Sequence, residues 1–245
     1  MFVDIKPKET PTPSPESAPT ATSVDIGSAF SYMTADPQWL NKVVIMGLVT
    51  LVPIAGYLVL FGWMREIFER VKEGRKELPA LDFGTQLEKG IAPFVAMIGP
   101  MAIMMFGMFG LQLLMLPFAL LAEAVQGTAA QGPFGVLMML LSLLITLVMM
   151  VGMFAVSAAV PEVMRRGLRG EMMPVLSPRA SIAAIKNNAS TYFMVLVGGF
   201  AFNMISQVGV FLCFVGVFLT MPLAMVGLSH LLAQWDRVAG DPQTT

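Results

Sequence analysis

Hydrophobic positions in this chain come in long unbroken runs rather than in alternation. No charge occurs from Val43 to Met64, from Gly90 to Ala122, from Phe134 to Val160, or anywhere between Lys186 and Asp236. A helix needs about 20 apolar residues to cross a hydrocarbon core about 30 Å thick. The runs therefore predict an all-α, polytopic helical membrane protein with about five membrane segments, near 43–64, 91–122, 134–160, 188–205 and 210–232. The last run is too long for one crossing and is divided at a turn expected around Ser206-Gln207-Val208-Gly209. The helical domain occupies 25–235, between a Pro/Ser/Thr-rich tail (1–24) expected to be disordered and a short C-terminal tail (236–245).

Proline and glycine interrupt these runs. In the first segment, Val52-Pro53-Ile54-Ala55-Gly56-Tyr57 could kink a spanning helix or turn a re-entrant one, and the kinked span is the preferred reading. In the second, Pro93, Pro100 and Pro117 offer several places for a bend. Asp36-Pro37 ahead of Trp39 has the form of a helix N-cap followed by proline in the first turn.

Charge changes the picture by fixing orientation. Arg65, Arg70, Lys72, Arg75, Lys76 and Lys89 occupy the first connection, and Arg165, Arg166, Arg169, Arg179 and Lys186 the second; the turns near 123–133 and 206–209 hold no basic residue. The positive-inside rule then predicts a multi-pass protein of the cell (inner) membrane with both basic loops and the C-terminus cytoplasmic. The side of the N-terminus depends on whether the first segment spans. In the first loop, acidic and basic residues are balanced and should pair internally, with REIFERVKEGRKE forming a charged helical stalk. In the second, Ser177-Pro178 starts a short amphipathic helix with Ile182 and Ile185 on its apolar face, suited to the membrane surface. EGRKELPALDFG and RGEMMPVLSPRA resemble each other enough to suggest two related halves.

Composition narrows the chemistry. The chain's 245 residues are 56% hydrophobic and 13% charged, and its 15 basic and 16 acidic side chains nearly cancel, which argues against a nucleic-acid partner. One cysteine, Cys213, and one histidine, His230, exclude a cysteine-cluster metal site and HExxH zinc chemistry. No catalytic residue, metal site or cofactor is expected.

The pattern Asp36-Pro37-x-Trp39, Pro53 with Gly56-Tyr57-Leu58, and Val71-x-x-Gly74…Leu78-Pro79…Asp82-Phe83 resembles a bacterial and archaeal family of integral membrane proteins of unknown function. The closing run Gly216…Pro222-Leu223 is similar to the membrane part of some glycerophosphodiester phosphodiesterases. The resemblance covers residues 25–237 and implies a polytopic helical domain in the cell membrane, with no catalytic residue carried over.

The remaining candidates are weighed individually. Met97, Met101, Met105, Met108 and Met115 fall on one helical face of this methionine-rich chain. Thioethers in a row suit Cu(I), but adaptable packing is the preferred reading. Gln112 and Asn203, mid-segment amides, are expected to make interhelical polar contacts, with substrate binding the lesser alternative. Arg165, Arg166, Arg169, Arg179 and Lys186 are expected to contact lipid headgroups. Glu123 and Glu162 are read as charges at segment ends, and no carboxylate sits mid-membrane. The expected function is a non-enzymatic scaffold or interaction module whose partners are membrane lipids, copies of itself or other membrane proteins. A transporter or exporter of a small or lipid-like solute, with its path beside Pro53 and Pro100, is the alternative.

Overall fold

The computed structural model describes residues 24–211 and 216–240. The tail expected at 1–24, except Val24, and Cys213 lie outside the described residues. Among the described residues eight α-helices follow one another: α1 (Ile26–Ala35), α2 (Trp39–Val49), α3 (Ala55–Lys72), α4 (Phe83–Ala124), α5 (Gln131–Leu168), α6 (Pro178–Asn187), α7 (Ala189–Phe211) and α8 (Val217–Ala239), with one 3-10 turn at Pro174–Leu176. Four of them, α4, α5, α7 and α8, are long and apolar enough to cross a membrane. The protein is thus a polytopic helical membrane protein.

The central element is α8. Its C-terminal part is buried on every side, with Leu231, Leu232, Ala233, Gln234, Trp235 and Asp236 consecutive interior residues. A helix that carries polar groups inward must satisfy them. Gln234 does so by accepting from the Asp25 amide at 2.5 Å while donating to Ser28 Oγ at 2.8 Å and to the Asp25 carbonyl at 3.1 Å. Ser229 bonds back to the Met225 carbonyl. Against α8 packs α3, whose buried Val59, Leu60, Trp63, Met64, Ile67, Phe68 and Val71 repeat at three- and four-residue spacing. The expected charged stalk is therefore a packed helix whose last two turns belong to the core.

The first apolar run departs from the kinked span. It divides into α2 and α3, and the chain reverses between them. Asp25 meets Gln234 and Lys72 meets Asp236, so residues 25 and 72 lie at the same end of α8; Gly47 lies against the Phe218 backbone at its other end. Local chemistry permits the reversal. Pro53 has no N–H to continue the helix, Ile54 adopts φ 64°, and Gly56 has no Cβ to collide with the carbonyl of Val49. Leu51, Val52 and Ile54 at the tip are all more than half exposed.

Other boundaries also move. The turn expected at 206–209 is helical, because α7 continues to Phe211; Gly209 lies against Gly216 and serves close hairpin packing. Asp36 caps differently from expectation. Its carboxylate accepts from the Gln38 amide at 2.7 Å and from Lys42 Nζ at 2.6 Å, and α2 begins at Trp39. α4 passes Pro93, Pro100 and Pro117 without losing its helical assignment. The expected C-terminal tail is shortened, since Asp236 is inside α8.

α4 and α5 leave the core together. Their half-buried positions, Met104, Leu111, Met115, Phe118 and Ala122 on one and Phe134, Met138, Leu141, Ile145 and Met149 on the other, follow a three/four spacing. That is the narrow seam of two helices packed only on each other. The expected methionine stripe divides: Met97 packs on the core, Met115 is in the seam, and Met101, Met105 and Met108 face outward.

Candidate functional site: an ionic junction of three helix ends

Where α3, α5 and α8 end, their C-terminal carbonyls would concentrate partial negative charge. Each helix brings a base to its last turn: Arg70 and Lys72 on α3, Arg165 and Arg166 on α5, and Arg237 on α8. Arg237 donates to the carbonyl of Val71, tying the end of α8 to the end of α3.

Glu162, Arg165 and Arg169 are spaced by three and four residues, which puts them on one face of the end of α5. That face meets Asp236. Arg165 holds Glu162 through two bonds, Nε to Oε2 at 2.9 Å and Nη2 to Oε1 at 2.6 Å, and reaches Asp236 Oδ1 with Nη1 at 2.7 Å. Asp236 also accepts Arg169 Nε at 2.7 Å on Oδ1 and Lys72 Nζ at 2.7 Å on Oδ2. Trp235 Nε1 donates to Glu162 Oε2 at 2.8 Å, and the Trp235 ring leans on Tyr192, whose hydroxyl donates to the Ala158 carbonyl. The side chains of Glu162, Arg165 and Asp236 are all but fully buried. Buried charges require this degree of pairing, because each uncompensated one costs several kcal/mol.

Three cations, Lys72, Arg165 and Arg169, thus meet on Asp236. They differ in exposure. Arg165 is sealed in, whereas Lys72 keeps 39% of its side-chain surface and Arg169 19%. Both line an open cavity of about 320 Å³, together with Phe68, Leu168, Glu69 and Glu73. Lys72 Nζ also stands over the Phe68 ring at 5.4 Å.

Arg166, one position away, points about 100° from Arg165. It organises the second loop. Its guanidinium pairs with Glu171 at 2.6 Å and donates from Nη1 to the Pro174 and Ser177 carbonyls and to Ser181 Oγ. The first loop pairs largely within itself, through Arg65 with Glu69, Arg75 with Glu73, and Lys89 with Glu66 and Glu69. At the N-terminal end, burial alone would raise the Asp36 carboxyl, but the Lys42 ammonium and the Gln38 amide hold it below the usual carboxylate range.

The five bases expected at headgroups therefore separate. Arg165 and Arg166 are buried with carboxylates and carbonyls, which corrects their assignment as headgroup contacts. Arg169 is committed to Asp236, while Arg179 and Lys186 are exposed on α6. Gln112 and Asn203 are exposed on the outer surfaces of α4 and α7, and among the described residues neither bonds to another helix. The expected interhelical contacts are replaced by Gln234 and Gln86, whose amide donates to Glu66 Oε2 at 3.1 Å and to the Ala80 carbonyl at 2.9 Å.

Sequence reasoning missed Asp236 and Lys72. A signal was present: the lone carboxylate that ends a long uncharged run beside a tryptophan has to face a cation if it is buried. Among the described residues no group of three or more His, Cys, Asp or Glu is placed to hold a metal ion.

These features define a membrane protein with four apolar helices, two of which, α5 and α8, meet the end of α3 at a buried ionic junction. Residues 45–226, about three quarters of the chain, match the DUF4013 family of proteins of unknown function, and the chain belongs to that family. The matched span includes Lys72, Glu162, Arg165 and Arg169 and stops short of Asp236. No curated protein and no solved structure matches this chain.

Proposed function

We propose that the protein is a non-enzymatic module of the cell (inner) membrane that associates with copies of itself or with other membrane proteins and rests on lipid headgroups. The observation that carries this reading is the α4–α5 hairpin. From Met101 to Phe154 its outward side chains are mostly apolar, including Phe106, Phe109, Leu113, Leu143 and Phe154, each at 60% exposure or more. So large an apolar surface needs lipid or protein to cover it. On the basic side, Arg179 and Lys186 project from α6, which has its own apolar face. Each basic residue near an anionic leaflet contributes on the order of 1 kcal/mol. By the positive-inside rule, the junction, α6 and the C-terminus lie in the cytoplasm. The hairpin of α2 and α3 then puts Asp25 on the same side.

An enzyme has little support. Ser229 and His230 have separate partners, the Met225 carbonyl and Gln234, and His230 leans on Tyr32 at 4.9 Å. The similarity of Gly216…Pro222-Leu223 to phosphodiesterase membrane domains would point to lipid phosphate, yet brings no catalytic group. The transporter reading draws on the helix break at Pro53, whereas Pro100 does not break α4.

With Cys213 replaced by serine, single cysteines at Leu140 and Lys186 test both halves of the proposal. Cross-linking between copies, or to a partner protein, through position 140 is expected in native membranes, with position 186 inaccessible to an impermeant thiol reagent in intact cells. A chain that stays monomeric and uncross-linked while carrying solute across liposomes would refute it.

A further inference from the structure

The two flanks of the α4–α5 hairpin differ in chemistry. Between Met101 and Ala122 and between Phe134 and Val156, only Gln112, Ser142 and Thr146 carry a polar side-chain group. Each directly follows a half-buried residue of the seam, namely Leu111, Leu141 and Ile145. Two right-handed helices that run antiparallel turn the residue after a seam position to the same side, so the three polar groups share one flank. Exposed methionines complete it: Met101, Met105, Met108 and Gln112 step by three and four along α4, as do Met139, Ser142, Thr146, Met150 and Met153 along α5. The opposite flank is aliphatic, with Ile103, Leu114 and Leu121 turned the same way as Leu137, Leu144 and Val148. We infer that the methionine–glutamine flank is the face through which two copies of this chain pair side by side in the membrane, an inference that rests on the membrane-module reading and names its partner.

Lipid covers methionine as well as it covers leucine, so the demand for protein comes from the amide. At about 1.5 Å per residue, Gln112 lies about 15 Å from Ala122, and Ser142 and Thr146 lie about 12 and 18 Å from Phe134, so all three sit near the middle of a hydrocarbon core about 30 Å thick. Ser142 and Thr146 satisfy their hydroxyl hydrogens on the Met139 and Ser142 carbonyls of their own helix. Gln112 is exposed and, among the described residues, has no hydrogen-bond partner. At that depth neither water nor lipid replaces the bonds an amide makes in water. Symmetry and depth make the occupant a second copy. All copies enter the membrane in one orientation, so a two-fold axis along the membrane normal brings groups of equal depth together. It sets α4 of one copy against α5 of the other, antiparallel, as in an up-down four-helix bundle. Gln112 then meets the partner's Ser142 and Thr146, whose oxygens keep lone pairs free to accept from its amide. Flexible methionines fill the rest of such a face. With a length of roughly 30 Å and a width of about two helix diameters, the flank offers on the order of 600 Å² per copy, and two copies together clear the roughly 1,000 Å² of a stable interface.

Chains carrying Gln112→Cys and chains carrying Ser142→Cys, each with Cys213→Ser, are reconstituted together in liposomes of phosphatidylethanolamine and phosphatidylglycerol and treated with a membrane-permeant oxidant. A disulfide between the two chains is expected, because it forms only where Cα atoms come within about 7 Å. The pair Leu114→Cys with Leu144→Cys, at similar depth on the aliphatic flank, should stay apart. Gln112→Leu removes the amide at an exposed position outside the core. Energy transfer between labelled copies in the same liposomes should then show the dissociation constant raised roughly eightfold, the ratio for two symmetric interhelical bonds of average strength. No disulfide in the first pair, an equally efficient one in the second, a dimer that Gln112→Leu leaves as tight, or a different protein captured at position 112 in native membranes would each overturn the inference. A flexible cross-linker at Leu140 registers any neighbour and therefore tests the membrane-module reading separately. A neighbour caught there while the disulfide fails sinks only the pairing through this flank, whereas silence at both positions defeats the reading as well.

Discussion

Replacing Asp236 with asparagine isolates the junction with almost no change of shape. The substitution removes the carboxylate that Lys72, Arg165 and Arg169 share. The cost is unequally distributed. Lys72 and Arg169 are 39% and 19% exposed and can turn toward water, but Arg165 has no exposed surface and keeps only its two bonds to Glu162. Removing one partner of a buried pair costs about 3–5 kcal/mol, and the relief available to Lys72 and Arg169 puts this case near the lower bound, about 3 kcal/mol. For a chain of this size that corresponds to a fall in Tm of roughly 6–12 °C. Trp235, which donates to Glu162, reports the loss directly through its fluorescence during thermal unfolding in detergent. Glu73→Gln is the control, an exposed pair worth about 0–1 kcal/mol. A cycle combining Asp236→Asn with Arg165→Gln should give a coupling above about 1 kcal/mol. If Asp236→Asn melts within about 1 °C of the parent, the junction does not hold the helix ends together and the reasoning fails.

Arg166→Lys keeps the charge but loses the fork that reaches Glu171, Pro174, Ser177 and Ser181 together, so limited proteolysis should cut between residues 170 and 177 sooner, with stability reduced by about 2 kcal/mol. Gly62→Ala should destabilise markedly in a chemical-denaturation assay, because its Cβ would collide with the Gln86 backbone, whereas Gly110→Ala, with open space around it, should be neutral or gain up to about 1 kcal/mol. The Asp36 carboxyl is lowered in the folded protein, so its pairing with Lys42 stabilises above the ordinary carboxylate pKa and is lost as pH falls through the lowered value. As pH falls below the ordinary carboxylate pKa the Tm gap between Asp36→Asn and the parent should therefore shrink, closing only below the lowered value, and a gap that does not shrink would contradict the pairing.

The amphipathic helix α6 and the apolar lengths of α4 and α5 were legible because periodicity and run length are local properties. The ionic junction was less so. Glu162 with Arg165 could be read at helical spacing, but Asp236 lies 71 residues beyond Arg165 and 164 beyond Lys72, and no local pattern encodes such a meeting. Arg165 and Arg166 illustrate the limit. They are neighbours with the same charge, and both were expected at the membrane surface, yet 100° of helical rotation sends one to Asp236 and the other into the loop. The tip at Pro53 was visible as an interruption, but whether it bends or reverses the chain was decided by the contact between Gly47 and Phe218, far away in sequence.

The bond between Asp25 and Gln234 spans 209 positions, and it orders events in time as well as in space. The first two helices find their principal packing surface on the last, α3 divides its buried face between α4 and α8, and synthesis adds roughly 5–20 residues per second. Between the appearance of Lys72 and that of Val217 the ribosome therefore works for on the order of 10 s, during which Trp63, Phe68 and Val71 have no α8 to cover them. The α2–α3 hairpin must wait at the membrane, shielded by lipid or by the insertion machinery, and the final helix completes the core as it arrives. Maturation of this protein is thereby a C-terminal event, and a chain terminated before residue 217 would leave its earliest-made helices as an unfinished surface.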